Sequence, residues 1–89
     1  MIKKLNPGDV VISTAGRDKE KIFLVVKVDD KFVYLIDGRT RKVVAPKKKS
    51  IKHVKVILPK ALKELSDRIS SGEPVGNERI FSSLSNKKI

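Results

Sequence analysis

Residues 22–36 read IFLVVKVDDKFVYLI, and this stretch decides the fold class. β-Branched and aromatic residues fill both of its halves, and the polar Asp29-Asp30-Lys31 between them predicts a turn. Because side chains alternate along a strand, the even-numbered positions from Ile22 to Val28 share one face and the odd-numbered positions share the other. Both faces of this segment are largely apolar. One face therefore predicts a core, and the other requires a cover from elsewhere in the chain.

Turn signals divide the rest of the N-terminal part into three further short strands. A Pro-Gly turn precedes a strand at 9–13, and the tight-turn dipeptide Asp37-Gly38 leads into a return strand at 41–45. The lysine-rich residues 47–50 then form a loop before a last strand at 51–57. Five short strands joined by tight connections predict a mainly β fold, a small antiparallel barrel.

The C-terminal segment can supply the cover that the apolar strands require. Pro59 suits a first helical turn, and apolar residues then recur at helical spacing over 61–69 until a glycine follows. A second short helix is predicted over 77–84. The chain is expected to be a single domain, with a barrel at 1–57 and one or two short helices at 58–89 packed on it.

Basic residues are concentrated in one part of the chain, whose formal net charge is +11. Residues 1–55 hold 15 Lys and Arg against 6 Asp and Glu, a net of +9, whereas residues 56–89 have a net of +2. Between Arg39 and Lys55, eight cationic side chains occur without one acidic residue. Cations at this density favour a polyanionic partner, foremost nucleic acid, because binding releases counterions from the phosphates. The alternative is a solvated basic tract, which the β-branched residues interrupting the run disfavour.

Other functional classes lack the residues that they need. The chain has no cysteine and one histidine, so a disulfide, a thiolate metal site or a zinc site is not expected. Neither a nucleophile with its base nor a glycine-rich phosphate loop before a helix is recognisable, so we predict a binding protein rather than an enzyme, without cofactor or metal. No targeting signal or membrane-length apolar stretch is evident, which predicts a cytoplasmic protein.

Candidate RNA contacts lie in the loop around Gly16 and in the basic run. The glycine permits close approach of a phosphate, although it could equally serve a plain turn. Arg39 and Arg41 would share one side of the return strand, with Lys42 on the other, and their guanidinium groups suit phosphates and bases. Lysines in the predicted loop would act as point charges on phosphates. The candidate RNA-binding residues are Gly16, Arg17, Lys19, Arg39, Arg41, Lys42, Lys47, Lys48, Lys49, Lys52 and His53.

The aromatic residues favour one kind of RNA over another. Phe23, Phe32 and Tyr34 lie in the most apolar strands and are expected in the core rather than as stacking platforms. Aromatic residues make up only 4% of the chain, so base stacking is not expected to be the main mode of binding. Structured or duplex RNA, held through its backbone, is favoured over single strands.

Two segments carry a resemblance to a known family. Residues 7–19, PGDVVISTAGRDK, resemble the KOW motif of ribosomal proteins and transcription elongation factors, with Gly16 at the nearly fixed glycine. Residues 37–54, with DGRTRK, APKKK and KHV, are similar to small KOW-domain RNA-binding proteins related to a large-subunit ribosomal protein family of archaea and eukaryotes. The resemblance implies an SH3-like barrel that binds RNA. Many KOW motifs have a second glycine after the loop lysine, where this chain has Glu20 and Lys21.

Two functions of different class follow. The first is docking on structured ribosomal RNA by a monomeric protein associated with the large ribosomal subunit, in translation, ribosome assembly or quality control. The second is an interaction module that docks on RNA polymerase in transcription elongation, which would need an exposed apolar patch around Ile80 and Phe81. A general DNA binder ranks last, because no helix-turn-helix or basic recognition helix is apparent.

Overall fold

The computed structural model describes residues 4–86, which form five strands and two helices. The strands are β1 (Val10–Ser13), β2 (Ile22–Val28), β3 (Phe32–Ile36), β4 (Lys47–Ser50) and β5 (Val54–Leu58). A 3₁₀ turn at Ile51–His53 connects β4 to β5, and helices α1 (Lys63–Ser70) and α2 (Asn77–Ser85) follow. The mainly β architecture with C-terminal helices is confirmed.

The strands form one antiparallel sheet in the order β4-β3-β2-β1-β5. Within residues 4–86, β4 and β5 are the two edge strands, so hydrogen bonding does not close the sheet. The link from Ser50 to Val54 spans at most about 14 Å. A flat five-stranded sheet would separate its edges by about 19 Å. The sheet must therefore curl strongly to bring its two edges towards each other.

The position of the fourth strand differs from the prediction. Residues 41–45 form turns, with Ala45 N donating to the Lys42 carbonyl, and the strand predicted there is wrong. The predicted loop at 47–50 is instead β4, which pairs with β3 from Phe32–Ser50 to Leu35–Lys47. Lysine is a poor strand former, but pairing with the central hairpin overrides that preference. The β-branched Val44, which favoured a strand in the sequence, is 91% exposed.

The two faces of the sheet have separate apolar clusters. The inner cluster comprises buried residues on the concave side: Leu5, Val11, Phe23, Val25, Val33, Leu35 and Val54. The outer cluster joins the other face of the sheet to the helices: Val10, Leu24, Val26, Ile36, Leu62, Leu65, Ile80 and Leu84. Full burial of a side chain of this size contributes about 1.5–3 kcal/mol. Because the outer cluster includes side chains from both helices, the helices provide the predicted cover for the second apolar face of the sheet.

One residue of β2 lies on the opposite face from the one predicted. The pairing of β2 with β3 shifts between Val25 and Lys27, which is the signature of a β-bulge. The extra residue reverses the alternation, so Val28 packs against the inner cluster rather than beside Leu24. Simple alternation holds only as far as Val26.

Helix α1 is attached to the start of β1 by backbone contacts. Leu62 N donates to the Gly8 carbonyl at 2.9 Å, and a Cβ at Gly8 would meet the backbone of Lys63. The buried Asp9 carboxylate accepts from Asn6 N at 2.8 Å and from Lys60 N at 2.7 Å. These contacts fix the helical layer on the sheet. Neither helix in the described part of the chain is long and apolar enough to cross a membrane.

Candidate nucleic-acid interface

The β1–β2 loop, residues 14–21, is a tight structure built on its own backbone. Ser13 N donates to the Lys21 carbonyl at 2.9 Å, and Lys19 N donates to the Gly16 carbonyl at 3.2 Å. Gly16 has φ +84° and is exposed, which fits a glycine at a loop apex. Glu20 has φ +73°, a left-handed conformation that is unfavourable for a side chain with a Cβ. Glu20, which stands where many KOW motifs have a second glycine, therefore adopts a backbone conformation typical of glycine.

A buried aspartate connects this loop to β4. Asp18 accepts from Ser13 Oγ at 2.8 Å and from Lys49 Nζ at 2.7 Å, and Lys47 Nζ lies 3.0 Å from its second oxygen as an ion pair. Lys49 Nζ also donates to the Ala15 carbonyl at 2.8 Å. Burial would raise the pKa of Asp18, but the contacts with Lys49, Lys47 and Ser13 outweigh it and hold that pKa far below its usual range. Asp18 is therefore ionised and joins two segments that are distant in sequence.

Strand geometry divides the three consecutive lysines between two faces. Lys47 and Lys49 point to the β1–β2 loop, and Lys49 is only 9% exposed. Lys48 points to the opposite face, where its Nζ lies 4.2 Å from the centroid of the Phe32 ring. There it shares a depression with Asp29 and Asp30. The prediction that all three lysines project from one loop is wrong, because residues 47–50 are a strand and side chains alternate.

The arginine turn, defined as residues 37–42, is organised by one carboxylate. Asp37 accepts hydrogen bonds from the backbone N–H of Arg39 and of Arg41, both at 2.8 Å, and from the Thr40 hydroxyl at 2.6 Å. Burial opposes ionisation of Asp37, yet these hydrogen bonds lower its pKa overall. Because Asp37 binds the backbone and Thr40, neither arginine side chain has a carboxylate within ion-pair distance in the described part of the chain.

The prediction that the two arginines share one face of a strand is wrong, because both lie in this turn. Arg39 lies over α2, with its guanidinium carbon 3.9 Å from the centroid of the Phe81 ring. Arg41 faces the β1–β2 loop, where it lines a depression with Arg17 and Lys47. A single turn thus directs one guanidinium to the helix and the other to the loop.

We call that depression the basic cleft. Its volume is about 190 Å³, and its lining residues are Arg17, Asp18, Lys21, Phe23, Thr40, Arg41 and Lys47. Four cations from the β1–β2 loop, the arginine turn and β4 meet there around one carboxylate. Since the buried Lys49 also neutralises that carboxylate, the cleft retains a net positive charge.

The other predicted residues are placed as follows. Lys19 is exposed in the β1–β2 loop, and Lys42 is exposed at the end of the arginine turn. Lys52 and His53 are exposed on the 3₁₀ turn. This turn contacts the same loop, because Thr14 N donates to the His53 carbonyl at 2.9 Å. Segments bearing most of the predicted residues therefore meet around the β1–β2 loop. Lys48 lies on the opposite face, and the ammonium group of Lys49 is inside the fold.

Several residues of this site are not among the predicted contacts. Lys21 was not a candidate, although it follows Arg17 and Lys19 at the same two-residue spacing, a signal that could have identified it. Thr40, between the two predicted arginines, also lines the cleft. Asp18 is an acidic residue in a basic loop, and it organises the cleft through Ser13, Lys47 and Lys49. No short-range signal indicates that Phe81 would lie against Arg39, because that contact depends on how α2 docks.

No family model matches this chain, and no curated protein shows significant similarity to it. Among residues 4–86, no group of His, Asp and Glu side chains could hold a metal ion.

The aromatic residues are placed partly as expected, since Phe23 is buried in the inner cluster. Phe32 and Tyr34, however, are half-buried on the outer face beneath Lys48 and Lys27.

Proposed function

We propose that this protein binds structured RNA through the basic cleft. The observation that carries this proposal is the convergence of Arg17, Lys21, Arg41 and Lys47 on one depression whose single carboxylate is neutralised from inside the fold. Asp18 balances the charge of only one of the two lysines that contact it, so the cleft keeps an excess of positive charge, which favours a polyanionic ligand. Arginine adds bidentate contacts that fit phosphate oxygens.

The class of RNA follows from the shape and composition of the site. The cleft is small and mainly cationic, and the aromatic residue that lines it, Phe23, is buried rather than exposed. Such a surface suits the phosphates of a folded RNA more than a row of unstacked bases. Neither described helix is a basic helix for a DNA groove, since Lys63 and Arg68 of α1 are balanced by Glu64 and Asp67, and Arg79 of α2 is balanced by Glu78.

The more specific part of the proposal rests on sequence resemblance. We infer an SH3-like barrel of the KOW type, supported by the curled five-stranded sheet and by the left-handed backbone at Gly16 and Glu20. The resemblance of residues 7–19 and 37–54 favours ribosomal RNA of the large subunit as the target. The protein would act as a cytoplasmic monomer in translation, ribosome assembly or quality control.

The surface that the polymerase-docking alternative requires is largely covered. It requires an apolar patch at Ile80 and Phe81, but Ile80 is completely buried in the outer cluster and Arg39 lies over Phe81. Among residues 4–86, Val44 is the exposed large apolar residue, and the apolar side chains beside α2 line a concave groove rather than a protruding patch. RNA binding is therefore the function that the site supports best.

The proposal is tested by measuring the affinity for large-subunit ribosomal RNA over a range of salt concentrations. Contacts with about four phosphates should give a slope of log affinity against log salt of roughly −3 to −4. A slope near zero, or no binding at low salt, would contradict the proposal. Crosslinking in cells followed by sequencing of the attached RNA would then identify the target, and enrichment of ribosomal RNA is the expected result.

A further inference from the structure

A second depression continues from the basic cleft towards α2. This α2 groove has a volume of about 430 Å³, within the range of roughly 300–1,000 Å³ that is usual for small-molecule sites. Lys21 and Thr40 line both depressions, so the cleft and the groove form one continuous surface. The groove differs in chemistry, because Ile22, Phe81 and Leu84 form much of its wall.

The two depressions together have the chemistry of a nucleotide site. The basic cleft presents cations suited to phosphates, and the α2 groove presents an apolar wall with an aromatic ring and a guanidinium plane. A nucleotide likewise combines a charged phosphate with a flat base that stacks on such planes. The one carboxylate in the groove, Asp37, already accepts three hydrogen bonds from the arginine turn. It is therefore not the dominant feature of the surface.

Arg39 is the part of the groove best suited to a base. One face of its guanidinium lies on the Phe81 ring at 3.9 Å, and the side chain is otherwise exposed. This leaves a planar cation whose second face is available for stacking. Because the ring restrains the side chain beforehand, a base would bind without ordering a free arginine.

The backbone around Arg39 is also held in place before any ligand binds. Gly38, at φ +82°, packs so closely on α2 that a Cβ there would overlap the Asn77 carbonyl. Val43 N donates to Asn77 Oδ1 at 3.0 Å and ties the end of the arginine turn to the same helix. The wall of the groove is therefore a rigid contact between the turn and α2.

We propose that the α2 groove binds one unpaired nucleobase of the RNA, stacked on Arg39, while the adjoining phosphates lie in the basic cleft. This inference rests on the proposed function and adds the substrate class to it: a folded RNA with a bulged or flipped-out nucleotide rather than an uninterrupted duplex. Extruding a base that is already unpaired requires little energy, which favours such sites.

The experiment compares two RNA hairpins, one fully paired and one identical except for a single bulged adenosine. The wild-type protein should bind the bulged hairpin about tenfold more tightly, the usual value of one stacked base. Phe81→Leu removes the ring, and Arg39→Lys keeps the charge but removes the plane. Both variants should reduce the preference to less than about twofold, with the affinity for the paired hairpin nearly unchanged.

The matched control is Phe32→Leu, which removes another half-buried ring beneath a cation but lies on the opposite face, under Lys48. It should keep the full preference for the bulged hairpin, and circular dichroism of each variant would verify that it folds. Equal binding of both hairpins by the wild type, or a preference that survives in both groove variants, would overturn the groove assignment alone. Failure to bind either hairpin would overturn the proposed function as well.

Discussion

The arginine turn and strand β4 have similar charge density in the sequence, but folding uses their side chains differently. In the arginine turn, Asp37 binds the backbone and Thr40, and both guanidinium groups remain available for a ligand. In β4, alternation directs Lys48 to the opposite face, and Asp18 engages Lys47 and Lys49. A run of cations in a sequence therefore overestimates the cations available at one surface.

The difference has an energetic origin. Burying the ammonium group of Lys49 carries a desolvation penalty, which Asp18 and the Ala15 carbonyl offset at 2.7 and 2.8 Å. In return, β4 is fixed to the β1–β2 loop, and the exposed Arg17 and Arg41 are brought to a common cleft. Lys47 and Lys49 thus organise the candidate interface to which Arg17 and Arg41 contribute.

The largest expected effect is on stability, from Asp18→Asn. This change leaves Lys49 buried without its counter-charge, and we expect the free energy of unfolding to fall by about 3 kcal/mol. Urea denaturation measures the change. Asp30→Asn is the matched control, since Asp30 is exposed, and it should alter the stability by less than about 0.5 kcal/mol. If the two variants were equally stable, the lysines of β4 would not be engaged in the fold.

The second expected effect is a loss of stability in acid. Asp18 has a lowered pKa in the folded state, so its contribution is complete above the unfolded-state value of about 4 and is lost as the pH falls below it. Between pH 5 and pH 2, the stability difference between the wild type and Asp18→Asn should shrink by about 2 kcal/mol. Urea denaturation at several pH values provides the test, and a difference independent of pH would contradict the ion pairs.

A smaller effect is expected in the loop that holds β4. Glu20→Gly should relieve the left-handed backbone at φ +73° and stabilise the protein by about 0.5 kcal/mol, because part of the gain is offset by unfolded-state entropy. Lys19→Gly is the control at a neighbouring position without positive φ, and it should destabilise by a similar amount. Thermal unfolding of both variants would show whether their effects differ in sign.

The sequence predicts the parts of the fold that depend on local patterns. The hairpin of β2 and β3 follows from β-branched residues around a polar turn, and α1 follows from apolar spacing that ends at a glycine. The predicted start of this helix at Pro59 is wrong, because residues 59–62 form turns and α1 begins at Lys63. The position of β4 could not be predicted, because its lysines become a strand only by pairing with β3. The bulge that reverses Val28 likewise has no marker such as glycine or proline nearby.

The candidate site was predictable in composition but not in arrangement. A basic surface follows from the charge pattern, and Gly16 and Arg17 follow from loop signals. The roles of Asp18 and Lys49 depend on a contact across 31 positions of sequence, and that of Phe81 depends on the docking of α2. Such contacts arise from the curl of the sheet, which no local pattern specifies.

The central claim, that the arginine turn binds RNA while Lys48 does not, is tested most directly by two charge reversals. Arg41→Glu and Lys48→Glu change the net charge equally, and both side chains are exposed, so the fold should tolerate each. For large-subunit ribosomal RNA at fixed salt, we expect Arg41→Glu to weaken binding at least about thirtyfold and Lys48→Glu less than about threefold. Equal losses, or a greater loss for Lys48→Glu, would contradict the account.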